Sequence, residues 1–382
     1  MTEKDERGSK DMRIGLIRMR YTPYGGAEVF LERFIAELVR RGHGVDVFAN
    51  SWPASSGVVV HHVPVRGPSF LKPLSFASNV EKAIKRAAPD VVISLERTHC
   101  QDIYRAGDGC HRQWLAARCA HVSWIKRLAI ALNPFHMTAL MLEEEMFRSD
   151  RLKMVVANSR MVKDDIQRHY GLPDEKICVI YNGIDSPTPA LTSASKRAEL
   201  RASLGVAPES VLLLFVGSGF ERKGLRFLIR ALALIKDKAD IRLVVIGKGR
   251  TPEYVREAKR LGVLDRVIFK GPLKNARDYY CAGDIFVLPS IYEPFSNSCL
   301  EAMAAGLPVV TSSANGVSEL LTGMNGVVQD PSDAGEIAAR ITPLLDEAVR
   351  LKAGQAVMEA ASEYTMERNV SEFLRLVEAF SA

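Results

Sequence analysis

The chain has 382 residues, 47% hydrophobic and 25% charged, the balance of a soluble globular protein and enough length for two domains. Those figures exclude a disordered chain, a collagen-like repeat and a disulfide-stapled miniprotein. The net charge of +6 and a pI of about 8.9 are mild for a nucleic-acid binder, so none is expected as partner, but they suit an anionic substrate or membrane.

Residues 1–11 are charged and lack an apolar core, which reads as a disordered tail and not a secretory signal. Arg13-Ile14-Gly15-Leu16-Ile17 opens the fold as a buried strand. After a turn at Pro23, Gly25 and Gly26, apolar residues at Val29, Phe30, Phe34, Leu38 and Val39 keep helical spacing, ended by Gly42. Strand character returns at 45–48, 90–94, 154–157 and 177–180. Apolar strands alternating with helical stretches predict a parallel sheet covered on both faces.

The segment from Asp185 to Ser195 reads DSPTPALTSAS, a linker composition. A second alternation follows, with strands at 212–216, 243–246, 267–269, 285–288 and 308–310 and a helix from about Leu225. The expected fold is α/β, with two Rossmann-like doubly wound domains facing a central cleft shaped by loops at the carboxyl ends of both sheets. The expected boundaries are a tail at 1–11, a first domain at 12–184, a linker at 185–197 and a second domain at 198–365. No segment is long and apolar enough to span a bilayer, and no pair among the six cysteines has zinc-site spacing. Unpaired thiols without an export signal point to the cytoplasm.

Three clusters carry chemistry. Gly25-Gly26 at a helix start lets an anion approach exposed amides, although alone it reads equally as a tight turn. Gly217-Ser218-Gly219-Phe220-Glu221-Arg222-Lys223-Gly224 follows a strand and sets two cations beside a helix start. There they oppose the macrodipole, so stability does not recommend them; a diphosphate ligand does. A nicotinamide-binding fingerprint fails here, because Arg222 and Pro252 stand where the third glycine belongs. In the third cluster, Glu293 falls in a loop and Glu301 one turn into the following helix. Backbone amides of Phe295, Ser296 and Asn297 are expected to point at the helix mouth. Two arbitrary glutamates read equally as a loop carboxylate and a local ion pair.

Taken together, Glu293 and Glu301 with seven residues between, the Gly217-to-Gly224 cluster and Gly25-Gly26-Ala27-Glu28 resemble family 4 retaining glycosyltransferases across roughly residues 13–375. Within that family, Tyr21-Thr22-Pro23-Tyr24-Gly25-Gly26, Arg41-Gly42-His43-Gly44-Val45 and Ile103-Tyr104-Arg105-Ala106-Gly107-Asp108-Gly109-Cys110 are similar to the branch that adds the first glucose to lipopolysaccharide core heptose. The resemblance implies a GT-B fold whose final helix, near 366–382, packs back on the N-terminal domain. It implies that Arg222 and Lys223 neutralise a diphosphate, that Glu301 binds the ribose and Glu293 the sugar hydroxyls, and that Gly26 closes over the phosphate. It further implies no metal and no cofactor, UDP-glucose as leading donor, a glycan or glycolipid acceptor, and Asp108 in a catalytic or acceptor-orienting role beside His111. An ordinary turn aspartate is the competing reading of Asp108. GDP-mannose or UDP-N-acetylglucosamine as donor, a sugar-nucleotide epimerase and a silent carbohydrate-binding module are the alternatives.

Residues 112–127 interleave Arg112, Arg118, Lys126 and Arg127 with Trp114, Leu115, Trp124 and Ile125, without an acidic residue. The pattern suits an anionic membrane surface, which would place the protein on the inner face of the cytoplasmic membrane. It suits equally a core pair of tryptophans with solvated arginines.

Overall fold

The structure is a computed structural model that describes residues 12–21, 26–53, 57–185 and 193–380. The expected tail at 1–11 lies outside the described residues, as do Gly25 and residues 186–192 of the expected linker. The chain divides into two compact units, one of residues 1–158, 162–181 and 366–382, the other of 159–161 and 182–365.

In the first unit, β1 (Arg13–Ile17), β2 (Gly44–Ala49), β3 (Val58–His62), β4 (Val91–Ser94), β5 (Ile103–Ala106), β6 (Met154–Ala157) and β7 (Ile177–Val179) pair in parallel. Their order is β3-β2-β1-β4-β5-β6-β7. Strands β3 and β5 escape the sequence pattern: β3 is a half-exposed edge, and β5 is four residues long with an arginine inside it.

Around the sheet lie α1 (Gly26–Arg40), α2 (Lys72–Ala87), α3 (His111–Ala120), α4 (Trp124–Ala131), α5 (Pro134–Phe147) and α6 (Arg160–Tyr170). The last helix, which we number α13 (Met366–Ala379), also belongs to this unit. Its Phe373 ring meets Phe30 and Phe34 of α1 edge-on at 5.5 and 5.1 Å, and Arg41 pairs with Glu378 at 2.9 Å. Helical spacing on α13 puts Met366, Val370, Phe373, Leu374 and Val377 on one buried stripe, which anchors it.

In the second unit, β8 (Val211–Val216), β9 (Ile241–Ile246), β10 (Val267–Gly271), β11 (Ile285–Leu288), β12 (Val309–Ser312) and β13 (Val327–Val328) are also all parallel. Their order is β10-β9-β8-β11-β12-β13. The helices are α7 (Ala194–Ser203), α8 (Leu225–Ile235), α9 (Pro252–Arg260), α10 (Asn297–Ala304), α11 (Ala334–Ile341) and α12 (Glu347–Ala361). Both sheets reverse their strand order at the first strand of the unit, the switch point at which open α/β sheets bind ligands.

The expected linker ends too late. Residues 194–197 are the first turn of α7, capped by the Ser193 hydroxyl, which accepts from Lys196 N. Arg197 and Arg201 then fasten α7 to Asp284, at 2.6 and 3.0 Å, so polar composition here reflects an anchored helix and not a free tether.

Candidate active site

Strand β8 delivers the chain to Gly217 at the carboxyl edge of the second sheet. The loop beyond is shaped by close backbone approaches. At Gly224 (φ 75°) a Cβ would fall 1.9 Å from the Pro289 carbonyl oxygen, and at Gly247 (φ 144°) one would fall 2.1 Å from the Gly217 oxygen. Only glycine fits either place. The Phe220 ring, buried against Phe215 and Tyr254, holds the loop from beneath. Ile291 N donates to Arg222 O at 2.9 Å and ties this loop to the one after β11.

Those ties bring Arg222 and Lys223 onto Glu293. Arg222 Nη1 lies 3.1 Å from Glu293 Oε2, and Lys223 Nζ pairs with the same oxygen. Lys223 and Glu293 are each only 7% exposed, so neither is the solvated charge that a bland reading allows. Both cations precede α8 in the turn before it, and Gly224 is its N-cap. Burial pushes the Glu293 carboxyl up, but Lys223 and Arg222 more than offset this and hold it below its ordinary range. The Glu293 carboxyl therefore stays ionised at neutral pH.

The Glu293 backbone is fixed from its other side. Its N–H donates to Ala314 O and its carbonyl accepts from Gly316 N, each at 2.9 Å. Between them Asn315, fully buried, accepts from Ser296 N and Val317 N through Oδ1 and donates to Thr311 Oγ1 at 2.9 Å. Sequence reasoning missed Asn315. Its only local signal is an Asn-Gly turn, and its partner Ser296 lies 19 residues away at the start of α10.

Asn315 also changes the expectation for the helix mouth. Ser296 is the N-cap of α10, accepting from Cys299 N, and its own amide is engaged by Asn315. That amide does not point at a ligand. Phe295 is a buried side chain, and Asn297 is the first residue of α10, its side-chain oxygen accepting from Asn182 at 2.8 Å. Glu301, one turn further, is held by Arg277 Nε at 2.9 Å on Oε1 and the Tyr280 hydroxyl at 2.9 Å on Oε2.

The carboxyl edge of the first sheet carries a second polar cluster. Gly26 is the first residue of α1, and Glu28 two residues on is buried and accepts from Arg18 at 2.7 Å. Asp108 is exposed in the turn after β5, with Arg18, Arg97 and Arg105 near enough to feel its charge. Arg105 is buried with its guanidinium 4.0 Å over the Phe30 ring, and burial lowers its pKa to about 10. Two contacts set the turn itself: Asn158 Nδ2 donates to Gly107 O at 3.1 Å, and Arg97 Nη2 to Gly109 O at 3.2 Å.

Behind that turn, the wholly buried Glu143 of α5 accepts from the first amides of α3, His111 N at 2.8 Å and Arg112 N at 3.1 Å. It accepts also from Arg97 Nε at 3.0 Å and the Tyr170 hydroxyl at 2.6 Å. His111 shares a ring hydrogen bond with His136 at 3.2 Å, and burial, helped by Arg97, lowers its pKa to about 4, so it is neutral at pH 7.

The 112–127 segment takes in all of α3 after its first residue and the first turn of α4. Trp114 is partly covered, with Arg118 5.9 Å over its ring, whereas Trp124 is 73% exposed and no core residue. The uncovered apolar face runs on past 127 through Leu128, Leu132, Phe135, Met137 and Met141. Among the described residues no helix is long and apolar enough to cross a membrane, and no cluster of three or more His, Cys, Asp or Glu is placed to hold a metal ion.

Comparison with known proteins finds family matches in both units. Residues 24–186 match the family described as glycosyltransferase family 4, and residues 210–347 that described as glycosyl transferases group 1. An uncharacterized glycosyltransferase of Methanocaldococcus jannaschii is 29% identical, over 88% of this chain and 90% of its own. The D-inositol 3-phosphate glycosyltransferase of Xylanimonas cellulosilytica is 30% identical, over 85% and 86%. The lipopolysaccharide glucosyltransferase WaaG of Escherichia coli is 25% identical, over 82% and 84%.

Among solved structures, WaaG, a glycosyltransferase involved in lipopolysaccharide biosynthesis, superposes with a TM-score of 0.79 at 23% identity, covering 94% of this chain and 98% of the other. Anabaena HepE in complex with UDP-glucose gives 0.71 at 23% identity, covering 96% and 100%. The fold is GT-B. The chain belongs to glycosyltransferase family 4, within the group 1 glycosyl transferases, and its activity class is glycosyl transfer.

Proposed function

We propose that this glycosyltransferase transfers a hexose with retention of configuration from a nucleoside diphosphate sugar, with UDP-glucose as leading donor. The leading acceptor is the inner-core heptose of lipopolysaccharide. The observation that carries the donor half is the meeting of Arg222 with the buried Lys223–Glu293 pair at the carboxyl edge of β8 and β11. The HepE complex with UDP-glucose and the name of the E. coli relative support the choice of sugar and acceptor. The D-inositol 3-phosphate glycosyltransferase at 30% identity favours a second reading, in which the acceptor is a phosphorylated polyol.

The chemistry follows from where charge develops. Cleavage of the anomeric C–O bond leaves negative charge on the diphosphate and positive character on the sugar ring. The buried Lys223 and the half-exposed Arg222, both fixed on Glu293, stabilise the departing diphosphate, and such preorganised charge is usually the largest catalytic term. Glu293 accepts from sugar hydroxyls and Glu301 from the ribose. The departing phosphate takes the proton of the attacking acceptor hydroxyl on the same face, so no enzymic nucleophile and no metal is needed. Asp108 orients the acceptor hydroxyl.

A thermal-shift screen tests the donor. Since a ligand at 100 times its Kd adds about 2.7 kcal/mol, UDP is expected to raise Tm by about 5 °C, and GDP by far less. Equal indifference to UDP, GDP and their sugars sinks the donor reading. Turnover is expected to need an acceptor and to survive EDTA; a changed sugar formed without acceptor would indicate an epimerase instead.

The acceptor reading extends to the surface. Between His111 and Leu142 there are four Lys or Arg residues and no Asp or Glu, and the face of Trp124, Ile125, Leu128, Leu132, Phe135 and Met137 is bare. We propose that α4 and the start of α5 lie in the interface of an anionic membrane. In vesicle sedimentation, Trp124→Glu/Leu128→Glu is expected to abolish binding to phosphatidylglycerol vesicles, and Lys126→Glu/Arg127→Glu to weaken it in a salt-dependent way. An undiminished bound fraction in the first variant defeats the idea.

A further inference from the structure

We propose that Arg277 and Tyr280 are positioning residues that fix the Glu301 carboxylate for the ribose hydroxyls, and thereby set how strongly the enzyme prefers ribonucleotides to 2′-deoxyribonucleotides. The proposal rests on the reading of Glu301 as the ribose ligand and adds what makes that glutamate competent.

The geometry is specific. Arg277 and Tyr280 lie on the short helical turn at 276–282, and Glu301 lies on α10, more than twenty residues further along the chain. Arg277 directs two donors of its fork at one oxygen, Nε at 2.9 Å and Nη2 at 2.8 Å from Oε1. The Tyr280 hydroxyl takes the other oxygen at 2.9 Å. A carboxylate offers about four lone-pair sites; Arg277 occupies the two on Oε1 and Tyr280 one on Oε2, so Oε2 keeps one site free to accept from a ribose hydroxyl. With both oxygens anchored, neither the rotamer nor the plane of the carboxylate is free to turn.

Charge matters as well as aim. Nucleoside diphosphates are anionic, and a bare carboxylate near one is repulsive. The Arg277 guanidinium cancels that charge, and the neutral phenol adds a hydrogen bond without adding one. Burial, with Glu301 beside it, pushes the Tyr280 phenol well above its usual range, so it remains a donor at every working pH. Glu301 keeps a partly open side chain, about 19% exposed, through which a ligand reaches it.

Calorimetric titration of the full chain with UDP and 2′-deoxy-UDP tests the proposal. A hydrogen bond to a charged group predicts a Kd ratio of about 10- to 100-fold in favour of UDP for the parent. Tyr280→Phe and Arg277→Ala are each expected to bring that ratio below about 5-fold by weakening UDP, with 2′-deoxy-UDP changed little. Arg277→Lys, which keeps the charge but not the fork, is expected to recover only part of it. Arg277 is about half exposed and Tyr280→Phe keeps the ring, so both variants retain the fold, which an unchanged Tm verifies.

Glu301→Gln separates the two levels of inference. If it collapses the ratio while Tyr280→Phe and Arg277→Ala leave it at the parental value, the positioning role is overturned and the ribose reading stands. If Glu301→Gln itself leaves the ratio unchanged, both fall.

Discussion

The Arg222→Ala/Lys223→Ala variant is expected to lose kcat/KM by on the order of 10³- to 10⁴-fold, since removal of one preorganised donor to a developing anion costs about 10²- to 10³-fold. The same change also unpairs Glu293. That carboxylate is buried, and stripping one partner from a buried ion pair costs about 3–5 kcal/mol. A triple variant that adds Glu293→Gln is therefore expected to regain much of the stability and none of the activity, which separates fold from chemistry.

The pH dependence of the double variant has a definite sign. In the parent the Glu293 pKa lies below its ordinary value, so its contribution to stability is present above the ordinary carboxylate range and is lost as pH falls through the lowered value. Without the two cations only burial remains, which raises the pKa. The folded state then takes up a proton more readily than the unfolded chain, and stability increases as pH falls from 7 toward 5. Tm measured across that interval should rise in the double variant relative to the parent. A fall parallel to the parent, or a parental rate, would remove the cations from the role assigned to them.

Glu143→Ala is expected to be the most damaging single change in the first unit, at about 3–5 kcal/mol, because it leaves Arg97, the Tyr170 hydroxyl and two helix-start amides without their acceptor. Burial pushes this carboxyl up, but Arg97 and the Tyr170 hydrogen bond, with the other donors, bring it below its ordinary range. The stabilisation is thus complete above the ordinary carboxylate range and is lost as pH falls through the folded value, so the parent has an acid limb that Glu143→Ala lacks.

Because Arg97 also holds the Gly109 carbonyl, loss of Glu143 loosens the turn that carries Asp108. At a temperature where the variant is folded, turnover is expected to fall about tenfold or more if Asp108 orients the acceptor as proposed. UDP affinity, which the proposed function assigns to the second unit, is expected to hold. Equal losses in both would mean that Glu143 acts only on overall stability.

The parallel strands were largely legible because fully buried strands read as unbroken apolar runs, as in Leu212-Leu213-Leu214-Phe215 and Ile285-Phe286-Val287-Leu288. Strand β3 was not, since Val59 and Val60 face water on an edge where no pattern is enforced. Trp124 shows the opposite limit. A tryptophan among leucines and isoleucines at helical spacing has the same sequence signature whether its face meets a core or is left bare, and here it is bare.

The sequence by itself determined the two α/β halves, the glycine loop with its adjacent cations and the two glutamates eight positions apart. Each is a short-range pattern, dictated by periodicity or by backbone space. Tertiary structure alone decided that Lys223 is buried on Glu293, that Asn315 claims the Ser296 amide, that Glu301 is gripped by Arg277 and Tyr280, and that Glu143 caps α3. The physical reason is that a buried polar group must find its partner wherever the packed chain supplies one. Those partners lie from 19 to 70 residues away, beyond the reach of any local pattern.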